Sequence, residues 1–387
     1  MFARETLGPN ETADVIIIGG GVIGLTIARA LARRGVRDVM LIERGRPGAE
    51  ASWAAGGILA PQVEADEPDD FFRLSRRSRD MYPDFAEVLH EDSGVDVELD
   101  RTGTLYLGFT PEDEEDLWRR FDWQQDEGLH VERLTAKSAR RLEPCISPKV
   151  LCALRFPDDF QIENRRLVEA LVIANDKLGV RLITGCTVGA LRIEQEKVRG
   201  VEVSSRFVSA PIVVVAAGAW TSLIDWSSSS LPPFEIEPVR GQMLCFEAQP
   251  QIARHVIYSA RGYLVPRRDG RLLAGSTTEY VGFDKSVTAD GVDSIKSMAL
   301  EIVPTVADLP LLASWAGFRP RAADDLPVLG SCDEIDGLFY ATGHYRNGIL
   351  LAPITGELIA DAIVEGNTTP TLDAFSPGRF RIPSGVQ

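Results

Sequence analysis

The sequence predicts an α/β protein in which a parallel-sheet domain, assembled from discontinuous segments, is interleaved with an α+β domain built on a largely antiparallel sheet. Three observations predict this. An apolar strand at Val15–Ile18 runs into a glycine-rich turn, a second apolar strand ends near Val215, and apolar and polar residues alternate over 239–276. Buried parallel strands are continuous apolar runs, whereas half-solvated antiparallel strands alternate.

The first strand is followed by a phosphate-binding turn. Gly19, Gly21 and Gly24 supply G-x-G-x-x-G at the start of a helix. The first glycine makes the tight turn, the second lets a pyrophosphate approach the backbone, and the third lets helix and strand pack closely. The N–H groups at the helix N-terminus hold the phosphate charge.

A second strand over 37–42 ends at the acidic residue Glu43, which is placed to accept hydrogen bonds from a ribose. The chain therefore begins with a Rossmann-like dinucleotide site. Glu43 favours an unphosphorylated ribose, as in NAD or the adenosine half of FAD, over NADP. The motif by itself does not separate NAD from FAD.

Two later segments are rich in small residues. The stretch 51–61 (A-S-W-A-A-G-G-I-L-A-P) lets backbone lie against a flat ligand, or is a tight packing turn. The apolar strand within 211–220 leads into a turn at Ala217 and Gly218, at the carboxyl end of a central parallel strand. Ligands of open α/β sheets bind at that end.

Periodicity and end signals predict the other elements. Helices are expected over 71–89, 110–128, 165–178, 293–302 and 348–365, and strands over 102–109, 181–184, 198–203, 263–267, 271–275 and 337–342. Asp269 and Gly270 mark a hairpin turn, and 227–233 reads as a surface loop. The resulting division assigns 1–90, 145–230 and 320–387 to the nucleotide-binding domain and 91–144 and 231–319 to the substrate domain.

Composition excludes several classes of function. The net charge of −16 over 387 residues argues against nucleic-acid partners and anionic membranes. The apolar runs are too short to span a bilayer, and residues 1–14 show no secretory signal. Five scattered cysteines indicate free thiols in a reducing cytoplasm, and the dispersed cysteines and histidines predict no metal site.

Seven segments together resemble the FAD-dependent amine oxidases of the D-amino-acid oxidase superfamily, and within it the glycine oxidases associated with thiamine biosynthesis. They are D-V-I-I-I-G-G-G-V-I-G at Asp14, S-W-A-A-G-G-I-L-A-P at Ser52, V-V-V-A-A-G-A-W at Val213, P-V-R-G-Q-M at Pro238, G-Y-L-V-P-R at Gly262, W-A-G-F-R-P at Trp315 and G-H-Y-R-N-G-I-L-L-A-P at Gly343.

The resemblance implies an FAD cofactor. Without a histidine or cysteine in the stretch beginning at Ser52, we expect the flavin to be held non-covalently. The expected cofactor-binding residues are Gly19, Gly21, Val22, Ile23, Gly24, Glu43, Arg44, Ala51, Ser52, Gly56, Gly57, Ile58, Val188, Ala217, Gly218, His344, Tyr345, Arg346, Asn347, Gly348, Ile349 and Leu350.

The resemblance also implies the substrate site. An amino-acid carboxylate needs a fixed cation, and the planar fork of arginine grips it through two parallel hydrogen bonds. Arg319 matches that position, Tyr263 adds a hydroxyl donor, and Arg346 lies beside the flavin. His344 is interpreted as a packing residue, and no general base is assigned. The N-terminal dipole of the helix expected at Gly348 would stabilise negative charge on the flavin.

The implied reaction is oxidative deamination of glycine, sarcosine or small D-amino acids by hydride transfer to flavin, with dioxygen as final acceptor and glyoxylate, ammonia and hydrogen peroxide as products. The family suggests a homotetramer. Three alternatives stay open: a dehydrogenase that reduces a quinone or protein acceptor, a non-catalytic flavin-binding subunit, and an NAD-dependent dehydrogenase.

Overall fold

A computed structural model describes residues 7–8, 11–226, 234–366 and 369–381. The loop predicted over 227–233 lies outside the described residues. No helix in the described part of the chain is long and apolar enough to cross a membrane.

The strands are spread along the chain from residue 15 to residue 342. In chain order they are β1 Val15–Ile18, β2 Val39–Glu43, β3 Ile58–Leu59, β4 Thr104–Gly108, β5 Glu132–Thr135, β6 Cys152–Phe156, β7 Phe160–Gln161, β8 Arg181–Thr184, β9 Val188–Glu194, β10 Lys197–Val203, β11 Arg206–Ser209, β12 Ile212–Val215, β13 Glu237–Glu247, β14 Val256–Ser259, β15 Gly262–Pro266, β16 Arg271–Gly275, β17 Leu311–Arg321, β18 Val328–Ser331 and β19 Leu338–Thr342.

The α-helices lie between these strands. They are α1 Val22–Arg33, α2 Ala51–Ala54, α3 Pro61–Glu64, α4 Asp70–Ser93, α5 Pro111–Asp126, α6 Ala136–Leu142, α7 Asn164–Lys177, α8 Ala289–Ile302, α9 Ala352–Glu365 and α10 Pro370–Ala374. Short 3₁₀ turns occur at Gly218–Leu223, Pro304–Asp308 and Pro377–Phe380.

The first sheet has six strands in the order β18-β19-β12-β1-β2-β8. β1 pairs in parallel with β2 on one side and β12 on the other, so the chain reverses its direction of winding at β1. Val15 and Ile17 point into a core shared with α1, α7 and α9, while Ile16 and Ile18 point into the core on the opposite face. Because both faces are covered, β1 is apolar throughout.

The second sheet has eight strands in the order β17-β13-β16-β15-β14-β4-β6-β5. Most neighbours pair antiparallel, and the long strands β13 and β17 run side by side from Glu237↔Arg321 to Phe246↔Leu311. The hairpin predicted at Asp269 and Gly270 joins β15 to β16. Two further apolar cores lie against this sheet, one containing α8.

Most predicted elements occur, with shifted ends. The α5 helix begins after Thr110, whose hydroxyl accepts a hydrogen bond from the Asp113 N–H, while the Asp113 carboxylate accepts one from the Thr110 N–H. This reciprocal cap is the expected start signal. The strand β6 falls in 145–230, which the predicted division gives to the nucleotide-binding domain, yet β6 pairs with β4 and β5 in the second sheet. The domain division itself stays a prediction.

Two expected helix starts are wrong by four residues. The helix α8 begins at Ala289, where the Thr288 side chain caps it, rather than at Asp293. The last long helix, α9, begins at Ala352 rather than Gly348. The preceding residues turn instead, since the Asn347 N–H donates to the His344 carbonyl at 2.8 Å and the Leu351 N–H donates to the Asn347 carbonyl at 2.8 Å. Pro353 favours a start at this point, because proline lacks the N–H that a helix interior requires.

Candidate cofactor and substrate site

A cavity of about 430 Å³ lies between the two sheets, at the carboxyl ends of the parallel strands. Its walls include Ile18 at the end of β1, Glu43 at the end of β2 and Thr342 at the end of β19. The reversal of winding at β1 opens the crevice in which α/β proteins bind ligands. Side chains from β13, β14, β15 and β17 of the second sheet form the other wall.

Glycines shape the backbone at one end of this cavity. Gly19 has φ +109°, and a Cβ there would lie 2.4 Å from the Ala216 oxygen. A Cβ on Gly24 would lie 2.0 Å from the Gly19 oxygen, so α1 could not pack against the turn. Gly21 forms the N-cap of α1 without a side-chain cap, and Gly21, Val22 and Ile23 at this helix N-terminus line the cavity. This cradle fits a pyrophosphate.

Glu43 is held rigidly at the same end. One carboxylate oxygen accepts a hydrogen bond from the Gly20 N–H at 2.8 Å, and the other accepts from the Gly45 N–H at 2.7 Å. Each carboxylate oxygen can accept more than one hydrogen bond, so Glu43 retains acceptor capacity for ribose hydroxyls. Val188 lies close by on the cavity wall, after Cys186, whose N–H donates to the Glu43 carbonyl at 3.1 Å.

The guanidinium of Arg44 stacks on the Trp220 ring, with its carbon 3.7 Å from the ring centroid. It also forms an ion pair with Glu50 at 2.9 Å. Arg44 and Trp220 both line the cavity, beside Ala217 and Gly218. The stacked Trp220 ring and Arg44 guanidinium therefore stabilise each other on the part of the cavity wall next to the glycine-rich turn.

The small-residue stretch at Ser52 is anchored by polar contacts rather than by packing alone. The Ser52 hydroxyl accepts a hydrogen bond from the Val22 N–H at 3.0 Å, and the Asn164 amide donates to the Ser52 carbonyl at 2.6 Å. Buried Arg267 donates to the Gly56 carbonyl at 2.8 Å. Gly57 has φ +66°, and a Cβ built on it would lie 2.0 Å from the Ile162 carbonyl oxygen, so a side chain has no room here.

The segment from His344 to Ile349 also lines the cavity. His344 is buried, and its Nε2 lies 3.1 Å from the Thr355 hydroxyl. Burial lowers the pKa of His344 to about 3, so the ring is neutral near pH 7. This environment agrees with the interpretation of His344 as a packing residue.

The cavity wall contains every predicted cofactor-binding residue except two, Gly24 and Leu350. Gly24 lies under the turn, in the packing role expected of the third glycine. Leu350 is buried, and its carbonyl accepts a hydrogen bond from the Ser78 hydroxyl at 2.6 Å. Because its carbonyl faces α4 and it is absent from the cavity wall, contact between Leu350 and a cofactor stays a prediction.

The predicted substrate residues lie together at the opposite end of the cavity. Arg319 donates to the Thr277 carbonyl at 3.1 Å and to the Ser276 hydroxyl at 2.6 Å. Burial lowers the pKa of Arg319, yet a guanidinium stays charged in proteins. Among the described residues no carboxylate lies within ion-pairing distance of Arg319. Its charge is therefore available to a bound anion.

Tyr263 and Arg346 complete this end. The Tyr263 hydroxyl lies 3.5 Å from the Met243 sulfur, a weak acceptor, so it can turn to a ligand. Arg346 differs from Arg319 in that it has an acidic partner, Glu64, at 3.4 Å. The negative charge of Glu64 raises the pKa of Arg346.

Sequence reasoning missed several residues of this wall, among them Glu64, Tyr258 and Met243. The Tyr258 hydroxyl donates to Glu64 at 3.1 Å, and burial raises the pKa of Tyr258 well above its usual value. Glu64 and Tyr258 lie 194 positions apart in the chain, and no local pattern links them. The one available signal in the sequence was a charged residue shortly after the apolar run 58–61.

The glycine cradle, the acidic residue at the end of β2 and the large cavity define a dinucleotide-binding oxidoreductase. The family model described as FAD dependent oxidoreductase matches residues 14–362. The chain belongs to this family, and FAD is the cofactor that the cavity fits.

Individual proteins agree with this assignment. The chain is 35% identical over 376 residues to a glycine oxidase of Geobacillus kaustophilus, covering 97% of this chain and 99% of that protein. It is 36% identical to the bifunctional protein ThiO/ThiG of Trichormus variabilis, covering 96% of this chain but 55% of that protein. The chain thus spans about half the length of the bifunctional relative. The crystal structure of glycine oxidase from Geobacillus kaustophilus superposes with a TM-score of 0.89 at 34% identity, covering 98% and 100% of the two chains.

Proposed function

We propose that this protein is an FAD-dependent glycine oxidase that also accepts sarcosine and small D-amino acids. The observation that carries the proposal is Arg319, a charged guanidinium on the cavity wall whose contacts in the structure are neutral oxygens. Such a group selects a substrate with a carboxylate. The glycine oxidases among the relatives, which align over nearly their whole length, support the choice of glycine.

The side chains bind and orient the substrate. Arg319 holds the carboxylate, and the Tyr263 hydroxyl donates a second hydrogen bond to the same group. Bound FAD supplies the two-electron acceptor. No acid–base residue is assigned: His344 is neutral and bonded to Thr355, so it neither takes the amine proton nor adds charge. The overall reaction consumes glycine, water and dioxygen and yields glyoxylate, ammonia and hydrogen peroxide.

The test is an anaerobic titration of the purified yellow protein with glycine. We expect the visible flavin absorption to bleach, to recover on readmission of air, and one hydrogen peroxide to form per glyoxylate. Bleaching without peroxide on aeration would instead support a dehydrogenase with a quinone or protein acceptor. No bleaching with any small amino acid would support a non-catalytic flavin-binding subunit, and a colourless protein would support NAD.

Four further expectations belong to the proposal. The flavin is held non-covalently, so acid precipitation should release it to the supernatant. The resemblance supports a homotetramer, which light scattering after size exclusion would check. The resemblance also supports a cytoplasmic location. Finally, it supports a role in thiamine biosynthesis, and a deletion strain of the source organism should then grow more slowly without added thiamine.

A further inference from the structure

Three charged side chains share the substrate end of the cavity, and they are not equivalent. Arg319 contacts only neutral oxygens among the described residues, whereas Arg346 faces the Glu64 carboxylate at 3.4 Å. The positive charge of Arg346 is thus compensated within the protein. The guanidinium of Arg319 is therefore the one that remains to attract an anion.

Glu64 is fixed in this position by its surroundings. It accepts a hydrogen bond from Tyr258 at 3.1 Å through the same oxygen that faces Arg346. It ends the short helix α3, whose Gln62 and Val63 N–H groups donate to the fully buried carboxylate of Asp159 at 3.3 and 2.9 Å. The Glu64 charge therefore faces the cavity from a constrained segment, and its side chain keeps 29% of its surface exposed.

We propose that Glu64 restricts this site to amino acids that carry a single carboxylate. The inference rests on the proposed function, because it presumes that Arg319 binds the substrate carboxylate. A second carboxylate would meet the like charge of Glu64 instead of a free Arg346. Repulsion of this kind rejects a competing ligand without weakening contacts to the correct one.

The test replaces Glu64 by glutamine, which keeps the size and one acceptor oxygen but removes the charge. Acetate and malonate, which differ by one carboxylate, are titrated into FAD-loaded protein and followed by the change in flavin absorption. We expect Glu64→Gln to shift the affinity ratio towards malonate by roughly tenfold to hundredfold, as for a charge several ångströms away at intermediate dielectric. The kcat/KM ratio of iminodiacetate to sarcosine should shift in the same direction.

Three further variants separate the effect of the Glu64 charge from other effects. Glu67→Gln makes the same substitution three positions along, at an exposed residue outside the cavity wall, and should leave the ratio unchanged. Tyr258→Phe removes the hydrogen bond to Glu64 but keeps its charge, so discrimination against malonate should persist. Glu64→Ala provides a second neutral side chain, and all variants are compared at equal FAD content.

The inference is overturned if the ratio of malonate affinity to acetate affinity stays within about threefold of the wild-type value in both Glu64→Gln and Glu64→Ala. Removing a nearby charge must change that ratio by more than about threefold. An equal shift in Glu67→Gln overturns it too, since the effect would then be one of net charge. The titration requires no turnover. A protein that does not oxidise glycine but shows the expected shift would overturn the proposed function and uphold the role of Glu64.

Discussion

The two ends of the cavity are built in different ways. The nucleotide end is made by backbone: Gly19 and Gly24 bring main-chain atoms together, and Glu43 is clamped by two N–H groups. The substrate end is made by side chains, chiefly Arg319 and Arg346, which arrive from separate parts of the chain. The first end depends on glycines that leave room for backbone, together with the Glu43 side chain, and the second depends mainly on particular side chains.

This difference determines how each end should respond to substitution. At Gly19 and Gly24 the backbone cradle has no spare volume, so one methyl group added there displaces main-chain atoms and disrupts the binding surface. A side-chain site loses one interaction at a time, and its fold survives. We therefore expect all-or-none effects at the nucleotide end and graded effects at the substrate end.

The largest effect is expected at Gly24. In Gly24→Ala the new Cβ would lie 2.0 Å from the Gly19 oxygen, so α1 must move away from the phosphate-binding turn. We expect the purified variant to lack flavin colour and to unfold at lower temperature. The ratio of visible to ultraviolet absorbance and a thermal melt measure both.

Gly35→Ala is the matched control, because Gly35 follows the other end of α1 and has φ +85° with open space around a Cβ. That change should destabilise the fold by only about 1–2 kcal/mol and retain FAD. Full FAD content in Gly24→Ala would show that the cradle is not needed for cofactor binding.

A smaller, selective effect is expected at Arg319. Arg319→Gln removes the charge that holds the substrate carboxylate, and kcat/KM for glycine should fall about tenfold to hundredfold, as for the loss of a charge-assisted hydrogen bond of about 1.5–3 kcal/mol. FAD content should be unchanged. Steady-state peroxide formation provides the measurement.

The control is Arg321→Gln, two residues along β17, where the side chain pairs with Asp325 and Glu237 outside the cavity. Its glycine kinetics should match those of the wild type. Equal losses of kcat/KM in the two variants would mean that any substitution in this part of β17 impairs the enzyme. The assignment of Arg319 to the substrate carboxylate would then be wrong.

His344 provides a test by pH. Its pKa is about 3 in the folded protein, against an ordinary value of 6.5 for histidine, so the unfolded chain binds a proton that the folded chain does not between these values. The stability that neutral His344 contributes is therefore complete above pH 6.5 and is lost as pH falls toward 3. His344→Gln should remove a slope approaching about 1.4 kcal/mol per pH unit, seen by urea unfolding at about pH 7 and about pH 5. Parallel pH dependence in variant and wild type would contradict burial of a neutral ring.

The smallest effect is expected at Tyr263. Tyr263→Phe removes a hydroxyl whose contact in the structure is the Met243 sulfur, so no buried partner is left unsatisfied. KM for glycine should rise roughly twofold to tenfold, less than for Arg319, because the lost donor is uncharged and Arg319 still holds the carboxylate, with FAD content and melting temperature unchanged. A change in kcat with constant KM would instead indicate that the hydroxyl acts on the reacting centre.

Local sequence predicts the nucleotide end well. Strand β1, the three glycines and Glu43 occur within 30 residues, and their order alone specifies the phosphate turn. Apolar periodicity places the start of α9 four residues early, because it continues through the turns that precede Ala352. Leu350 is assigned to the cofactor through the family resemblance rather than through periodicity, and that assignment stays a prediction.

The sequence by itself determined the parallel sheet and the dinucleotide cradle, because these depend on short-range order and on the conformational freedom of glycine. The family was recognised from the resemblance of seven segments spread along the chain. Tertiary structure alone decided the charge balance of the substrate end. It left Arg319 without an acidic partner among the described residues and gave Arg346 to Glu64, 282 positions away. Electrostatic pairing depends on distance in space, and the folding of two sheets around one cavity sets that distance.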